Sequence, residues 1–334
     1  MEVSAFDEPM EEVKDYSNQD FKFMQSLAVH SGSVRAVATS EKGVMLSGSV
    51  DHTCKLFNLD ETTGRYDFLQ ELNHHEHYVY SVSWALDNNG FYTWGKDQKI
   101  FLIDNHGNPE KLFEGHSQLV NMVIQVDANT IASGSWDGTA KIWEISTGKC
   151  ITTYDGHSHA VTVFADPNGR LITGSQDKKI RIWGTNHKLV KEWVAHDDII
   201  RRFADFSPLG FISCSNDSFI KVWTYDGELL GLLTGHTGYV FAVHALANHT
   251  IVSGSDDKTV KIWRDFNCVQ SIDFPSTIWD IKSNILGDIV IASEDYKIYV
   301  FTRDSTRAAS GTELAAFEAD VKASNTAGKL IKYY

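Results

Sequence analysis

Residues Ile131-Ala-Ser-Gly-Ser-Trp-Asp-Gly-Thr-Ala-Lys-Ile-Trp143 spell a strand, a tight turn and a returning strand. Residues 131–135 alternate as a strand does, Asp137-Gly138 is a turn pair, and residues 140–143 alternate again. The same text recurs over residues 171–183, 211–223 and 251–263. Working outward, a histidine stands 20 to 22 residues before each aspartate and a large apolar residue stands six after it. The sets are His30/Asp51/Phe57, His75/Asp97/Ile103, His116/Asp137/Trp143, His157/Asp177/Trp183, His196/Asp217/Trp223 and His236/Asp257/Trp263. A seventh copy keeps Asp295 and Phe301 but has Phe274 in the histidine register. Self-similarity at a period of about 40 residues is the mark of propeller blades. The expected fold is all-β, a seven-bladed β-propeller with a short C-terminal helix.

The repeats make most of the reactive-looking residues structural. Aspartate accepts from histidine, histidine pairs with a Ser or Thr hydroxyl, and that hydroxyl meets the indole N–H of Trp143, Trp183, Trp223 or Trp263. A hydroxyl lies four residues before each of six aspartates (Ser47, Thr93, Ser133, Thr173, Ser213, Ser253), and usually another lies two before, so the pattern leaves open which one serves. Buried polar groups persist when satisfied, and each link contributes on the order of 1 kcal/mol. Six copies of a Ser/His/Asp group argue against a hydrolase, and there is no G-x-S-x-G elbow. The chain is therefore expected not to be an enzyme and to need no cofactor.

After Phe301 no outer strand follows, whereas residues 21–27 match the outer-strand text before the other histidines. An N-terminal strand is therefore expected to complete blade seven and remove an exposed edge. The expected division is a flexible acidic segment over 1–20, a propeller over 21–303 and a helical extension or linker over 304–334. Ser310-Gly-Thr-Glu313 reads as a capping box opening that helix, with Leu314 and Phe317 on one face.

Composition narrows the partners. A net charge of −14 disfavours phosphate neutralisation on nucleic acid. No run of 18 apolar residues suggests membrane insertion. The four scattered cysteines (Cys54, Cys150, Cys214, Cys268) read as reduced thiols of an intracellular protein. His74, His75 and His77 lack the further ligands that a metal site needs.

The fourth and seventh residues after each histidine are mostly apolar, as in Val34/Val37 and Val161/Phe164. A spacing of three implies a bulge atop each innermost strand, turning the third and fifth residues to the top face. The residue before each aspartate joins them. Tyr78, Tyr80, Leu119, Trp136, Ile199, Tyr239, Phe241 and Trp279 would then form an exposed ring interrupted at blade four, with Arg201 and Asp256 beside it. Exposed apolar surface of that size usually marks a partner site.

The repeats resemble WD-repeat (WD40) propellers. Phe274-Pro275, Ile278-Trp279, Ser293-Glu-Asp295, Arg307-Ala-Ala-Ser310 and Glu313, with His196-Asp-Asp-Ile-Ile-Arg201, resemble the phospholipase A-2-activating protein family. That resemblance implies a ubiquitin-binding propeller in a cofactor of the AAA ATPase segregase, acting in ubiquitin-dependent degradation and sorting. The ten top-face residues would contact ubiquitin, whose apolar sheet patch is rimmed by basic groups. ATPase docking would run through domains absent from this chain, in the cytoplasm with the nucleus also open to it. The alternative is a generic WD40 scaffold binding another protein or a modified peptide on the same face.

Overall fold

The structure, a computed structural model, describes residues 19–327. Seven four-stranded antiparallel sheets follow one another around a ring. Blades one to six cover residues 34–72, 79–113, 120–154, 161–194, 200–233 and 240–273. Blade seven takes three strands from residues 278–302 and its outermost strand from Lys22–Ala28. That strand runs antiparallel to Lys297–Thr302, with Lys22 opposite Thr302 and Phe23 opposite Phe301. Pairing the two removes the edge that either alone would present. The expected flexible segment falls mostly on residues 1–18, which lie outside the described residues, as do residues 328–334.

The core sits between blades. Ala132, Ala140, Ile142 and Tyr154 of blade three, for example, close on Val161, Val163, Leu171 and Trp183 of blade four. This close approach explains the glycine of the Ser-Gly-Ser text. A Cβ on Gly134 would meet the Val161 carbonyl at 2.5 Å, and one on Gly254 would meet Ile278 Cγ2 at 2.3 Å. The residue after each blade aspartate has positive φ in all seven blades, and only Gly138 is a glycine there. In blades one to six the aspartate holds the turn by accepting the N–H two residues on, as in Thr53 to Asp51 at 3.0 Å.

The expected bulge is present in six blades, at Val34/Ala36, Val79/Ser81, Val120/Met122, Ile200/Arg202, Val240/Ala242 and Ile278/Asp280. Blade four has none. Its histidine–aspartate separation is 20 residues, one short of the common 21, and the missing residue is the bulge. Its buried pair is consequently Val161/Val163, not Val161/Phe164 as the spacing suggested. Without the bulge Thr162 is buried rather than turned to the face.

The helix α1 (Thr312–Ala327) lies against blade seven. Phe317 stacks on Phe23 at 4.6 Å and meets the edges of Phe274, Tyr299 and Phe301. Leu314 packs on the same cluster. The capping-box reading is corrected, because both Glu313 carboxylate oxygens turn to Arg65, the nearer at 2.6 Å.

Candidate partner-binding face

Each of blades one to six holds the expected chain of hydrogen bonds, and the hydroxyl four before the aspartate is the one used. In blade three Trp143 Nε1–H donates to Ser133 Oγ at 2.7 Å, and Ser133 reaches His116 Nε2 at 2.7 Å. His116 Nδ1 meets Asp137 Oδ2 at 2.7 Å. The donors run in one direction when histidine is neutral with its proton on Nδ1. The other hydroxyl, Ser135, caps the turn, donating to Leu119 O and accepting from Asp137 N–H. Blades one and two lack the indole donor but keep the rest.

Blade seven solves the same problem differently. Phe274 is fully buried, and the Tyr299 hydroxyl donates to Asp295 in place of a histidine. Burial and the Asp295 carboxylate push that phenol far above its usual pKa, keeping it a donor. The second Asp295 oxygen has no hydrogen-bond partner among the described residues.

Burial by itself pushes the six aspartates up, but hydrogen bonds from histidine, from Thr53, Thr139 and Thr259 hydroxyls and from backbone N–H groups outweigh it. Asp51, Asp97, Asp137 and Asp257 end below the usual carboxylate range, and Asp177 and Asp217 fall to about 2. Burial also pushes His157 and His196 below the usual imidazole value, outweighing their aspartates. All these groups have folded pKa values below their unfolded ones. Their stabilisation is therefore present above the unfolded values and is lost as pH falls through the folded ones. The urea midpoint should begin to fall below about pH 6.5, as the two histidines take up protons, and fall more steeply below about pH 4. A midpoint constant from neutral pH to about pH 3.5 would contradict this assignment.

The top face is where partner-facing residues remain. Trp136 and Tyr239 are each 46% exposed, Asp256 is exposed, and Tyr78, Tyr80, Ile199, Arg201 and Trp279 are half-buried. Two members of the expected exposed ring are corrected: Leu119 is 6% and Phe241 9% exposed. The Leu119 carbonyl takes the Trp136 N–H and the Ser135 hydroxyl, which draws the residue into the turn crevice. Phe241 is covered by Trp279, stacked at 4.5 Å, by the edge of Tyr239 at 6.1 Å and by Arg201 at 5.2 Å.

These contacts join into a ladder across five blades. Arg35 lies 3.5 Å from the Trp279 ring centroid and 5.3 Å from that of Tyr80. Trp279 stacks on Phe241, and Arg201 closes the far side while its Nε–H donates to Asn216 Oδ1 at 2.7 Å. Glu294 fixes the centre, accepting from Trp279 Nε1–H and from Ser33 Oγ at 2.8 Å. Asp256 accepts from Thr277 Oγ1 at 2.9 Å. Trp136 and Ile199 line a separate hollow with Gln176, which Arg201 borders on the ladder side. Arg35 and Glu294 were not among the expected contacts, although both occupy face-directed register positions. A hollow of about 730 Å³ lies elsewhere, between α1 and blade six beside Ile272 and Phe317. Among the described residues no group of histidine, cysteine and carboxylate side chains could hold a metal.

The protein-family model described as "WD domain, G-beta repeat" matches residues 21–58, 107–144, 148–184, 187–224 and 227–264. The chain is 34% identical over 306 residues to the ubiquitin homeostasis protein lub1 of Schizosaccharomyces pombe, covering 89% of this chain and 42% of that protein. It is 27% identical over 351 residues to the ubiquitin fusion degradation protein 3 homolog of Caenorhabditis elegans, covering 96% of this chain and 40% of that protein. The chain thus spans 42% and 40% of the length of these relatives. Among solved structures, the WD40 β-propeller domain of Doa1 superposes with a TM-score of 0.77 at 28% identity, covering 86% of this chain and 99% of that one. With five repeats matched, their blades in place and the tryptophan-to-aspartate hydrogen-bond chain built in four of them, this chain belongs to the WD domain, G-beta repeat family.

Proposed function

We propose that this chain is a ubiquitin-binding propeller module of the phospholipase A-2-activating protein type, serving ubiquitin-dependent protein degradation and sorting. The observation that carries this reading is the ladder of Tyr80, Arg35, Trp279, Phe241 and Arg201, with Tyr239 exposed beside it. Preordered aromatic and guanidinium groups make efficient anchors, because little side-chain freedom remains to be lost on binding. A shallow apolar patch with basic neighbours fits against Tyr239 and Trp279, with Asp256 facing the basic rim. The names of lub1 and the worm relative point to the same pathway.

Such a contact is small, below about 1,200 Å², and weak alone, so avidity from other modules would raise it. Engagement of the AAA ATPase segregase is assigned to segments outside this propeller. A cytoplasmic and nuclear location belongs to the same reading. Catalysis does not, since the hydroxyls of the Ser/His/Asp groups are fully buried in the blades. A reader of modified lysine is disfavoured too, because the protein's own arginines already cover Trp279, Tyr80 and Phe241.

Titrating isotope-labelled ubiquitin with this chain tests the proposal. Saturable shifts confined to ubiquitin's apolar sheet patch are expected, with affinity about tenfold weaker for Tyr239→Ala. Absence of shifts at about 1 mM protein would overturn the ubiquitin reading and leave a scaffold for another partner.

A further inference from the structure

We infer that the axial mouth of the ring is an oxyanion-binding site, taking one carboxylate or phosphate group among Arg35, Arg201 and Arg202. The three arginines line one small cavity with Asn121, Tyr80 and Trp279. In a chain of net charge −14, this is a local reversal of sign. No carboxylate lines this cavity among the described residues, and Asp280 and Glu294 beside it are already engaged. Asp280 pairs with Arg202 at 3.0 Å and with Lys282 at 3.3 Å, and Glu294 accepts from Trp279 and Ser33.

What distinguishes the mouth is how its guanidinium groups are held. Arg35 lies close over the Trp279 ring, with the Tyr80 ring beside it, and has no protein hydrogen-bond acceptor among the described residues. Arg201 uses Nε–H on Asn216 and rests over Phe241, leaving its terminal amino groups uncommitted among the described residues. Stacking occupies the faces of a planar cation while its N–H donors point outward along the edge, the arrangement that suits a planar or tetrahedral oxyanion. The uncommitted N–H donors of Arg35 and Arg201 remain open to the mouth of the ring, where a charged oxygen would make stronger hydrogen bonds than water does. The cavity measures about 30 Å³. At about 10–15 Å³ per water position, that is room for about two to three oxygen-sized positions, so it takes the oxygen-bearing end of one small oxyanion and not a polyphosphate headgroup.

The bulge places these residues. Arg35 and Arg201 each stand five after a blade histidine, where the extra residue turns the side chain to the axis. Blade four, without a bulge, contributes no residue to this cavity. The site does not rest on the ubiquitin reading, and its test contains no ubiquitin, so either can fail alone.

The test is a titration of the whole chain with inorganic phosphate, and separately with acetate, ionic strength being held with chloride. Arginine Nε–H and Trp279 indole N–H signals are followed by NMR. Saturable shifts at Arg35, Arg201 and Trp279 are expected, with affinity at least tenfold weaker in Arg35→Gln and in Arg201→Gln. Saturation by phosphate alone assigns a phosphate group, and saturation by both anions assigns any carboxylate-sized oxyanion. Shifts that rise linearly, that chloride reproduces, or that persist unchanged in both variants would overturn the site. Arg202 is left intact, because its loss would strip buried Asp280 of a partner.

Discussion

Asp137→Ala should lower the unfolding free energy by about 3–5 kcal/mol, since each hydrogen bond to a charged group contributes about 1.5–3 kcal/mol and several are lost at once. Asp137 accepts four hydrogen bonds: from His116 Nδ1 at 2.7 Å, Ser117 N at 3.1 Å, Thr139 Oγ1 at 2.7 Å and Thr139 N at 2.9 Å. Its loss orphans a buried imidazole N–H and releases the positive-φ turn at Gly138. Through His116 it also loosens Ser133 and Trp143, so the damage spreads along the blade. Asp295→Ala is the matched comparison. Asp295 accepts from Tyr299, and its other oxygen lacks a hydrogen-bond partner among the described residues, so its loss should cost only about 1–2 kcal/mol. Urea denaturation of both variants checks the pair. Equal losses, or a change under about 1 kcal/mol for Asp137→Ala, would refute the account of the blade network.

Trp279→Ala should weaken ubiquitin binding about a hundredfold, or about 2.7 kcal/mol. The indole is the middle rung of the ladder. It separates Arg35 from Phe241 and ties Glu294 through its N–H, so removing it unseats three neighbours at once. Truncation therefore costs both its own contact and the preorganisation of the rest. Ile151→Ala, an exposed apolar residue on the outermost strand of blade three, should leave binding unchanged. Isothermal titration of both variants decides the matter, and binding of Trp279→Ala within threefold of the parent would remove the ladder from the interface.

The blades were legible in the sequence because each rests on contacts within one repeat. His116, Asp137, Ser133 and Trp143 lie within 28 residues, and their spacing repeats. Even the missing bulge of blade four is written in the shorter interval from His157 to Asp177. The ladder was not legible in the same way. Arg35 and Trp279 are far apart in sequence and meet because the ring closes. Register could place both on the top face but could not say that one covers the other. The same limit explains Phe241, whose position faces the partner side but whose ring is taken by Trp279 and Arg201. Glu313 failed for a related reason: local text offered a cap, while Arg65, from blade one, offered a charge.

Lys22 stands opposite Thr302, so the strand entering blade seven and the strand leaving it part at the same edge. Tension applied there would peel the two apart one hydrogen bond at a time, the weakest way to load a sheet. The chain doubles back across that edge. Ala309 N–H donates to Phe23 O at 2.9 Å, Phe317 stacks on the Phe23 ring, and Lys297 holds Asp320 at 2.7 Å. A tug from the C-terminal side must lever out this clasp before any blade is strained. Mechanically, α1 and the turn before it act as a clasp over the seam where the ring closes.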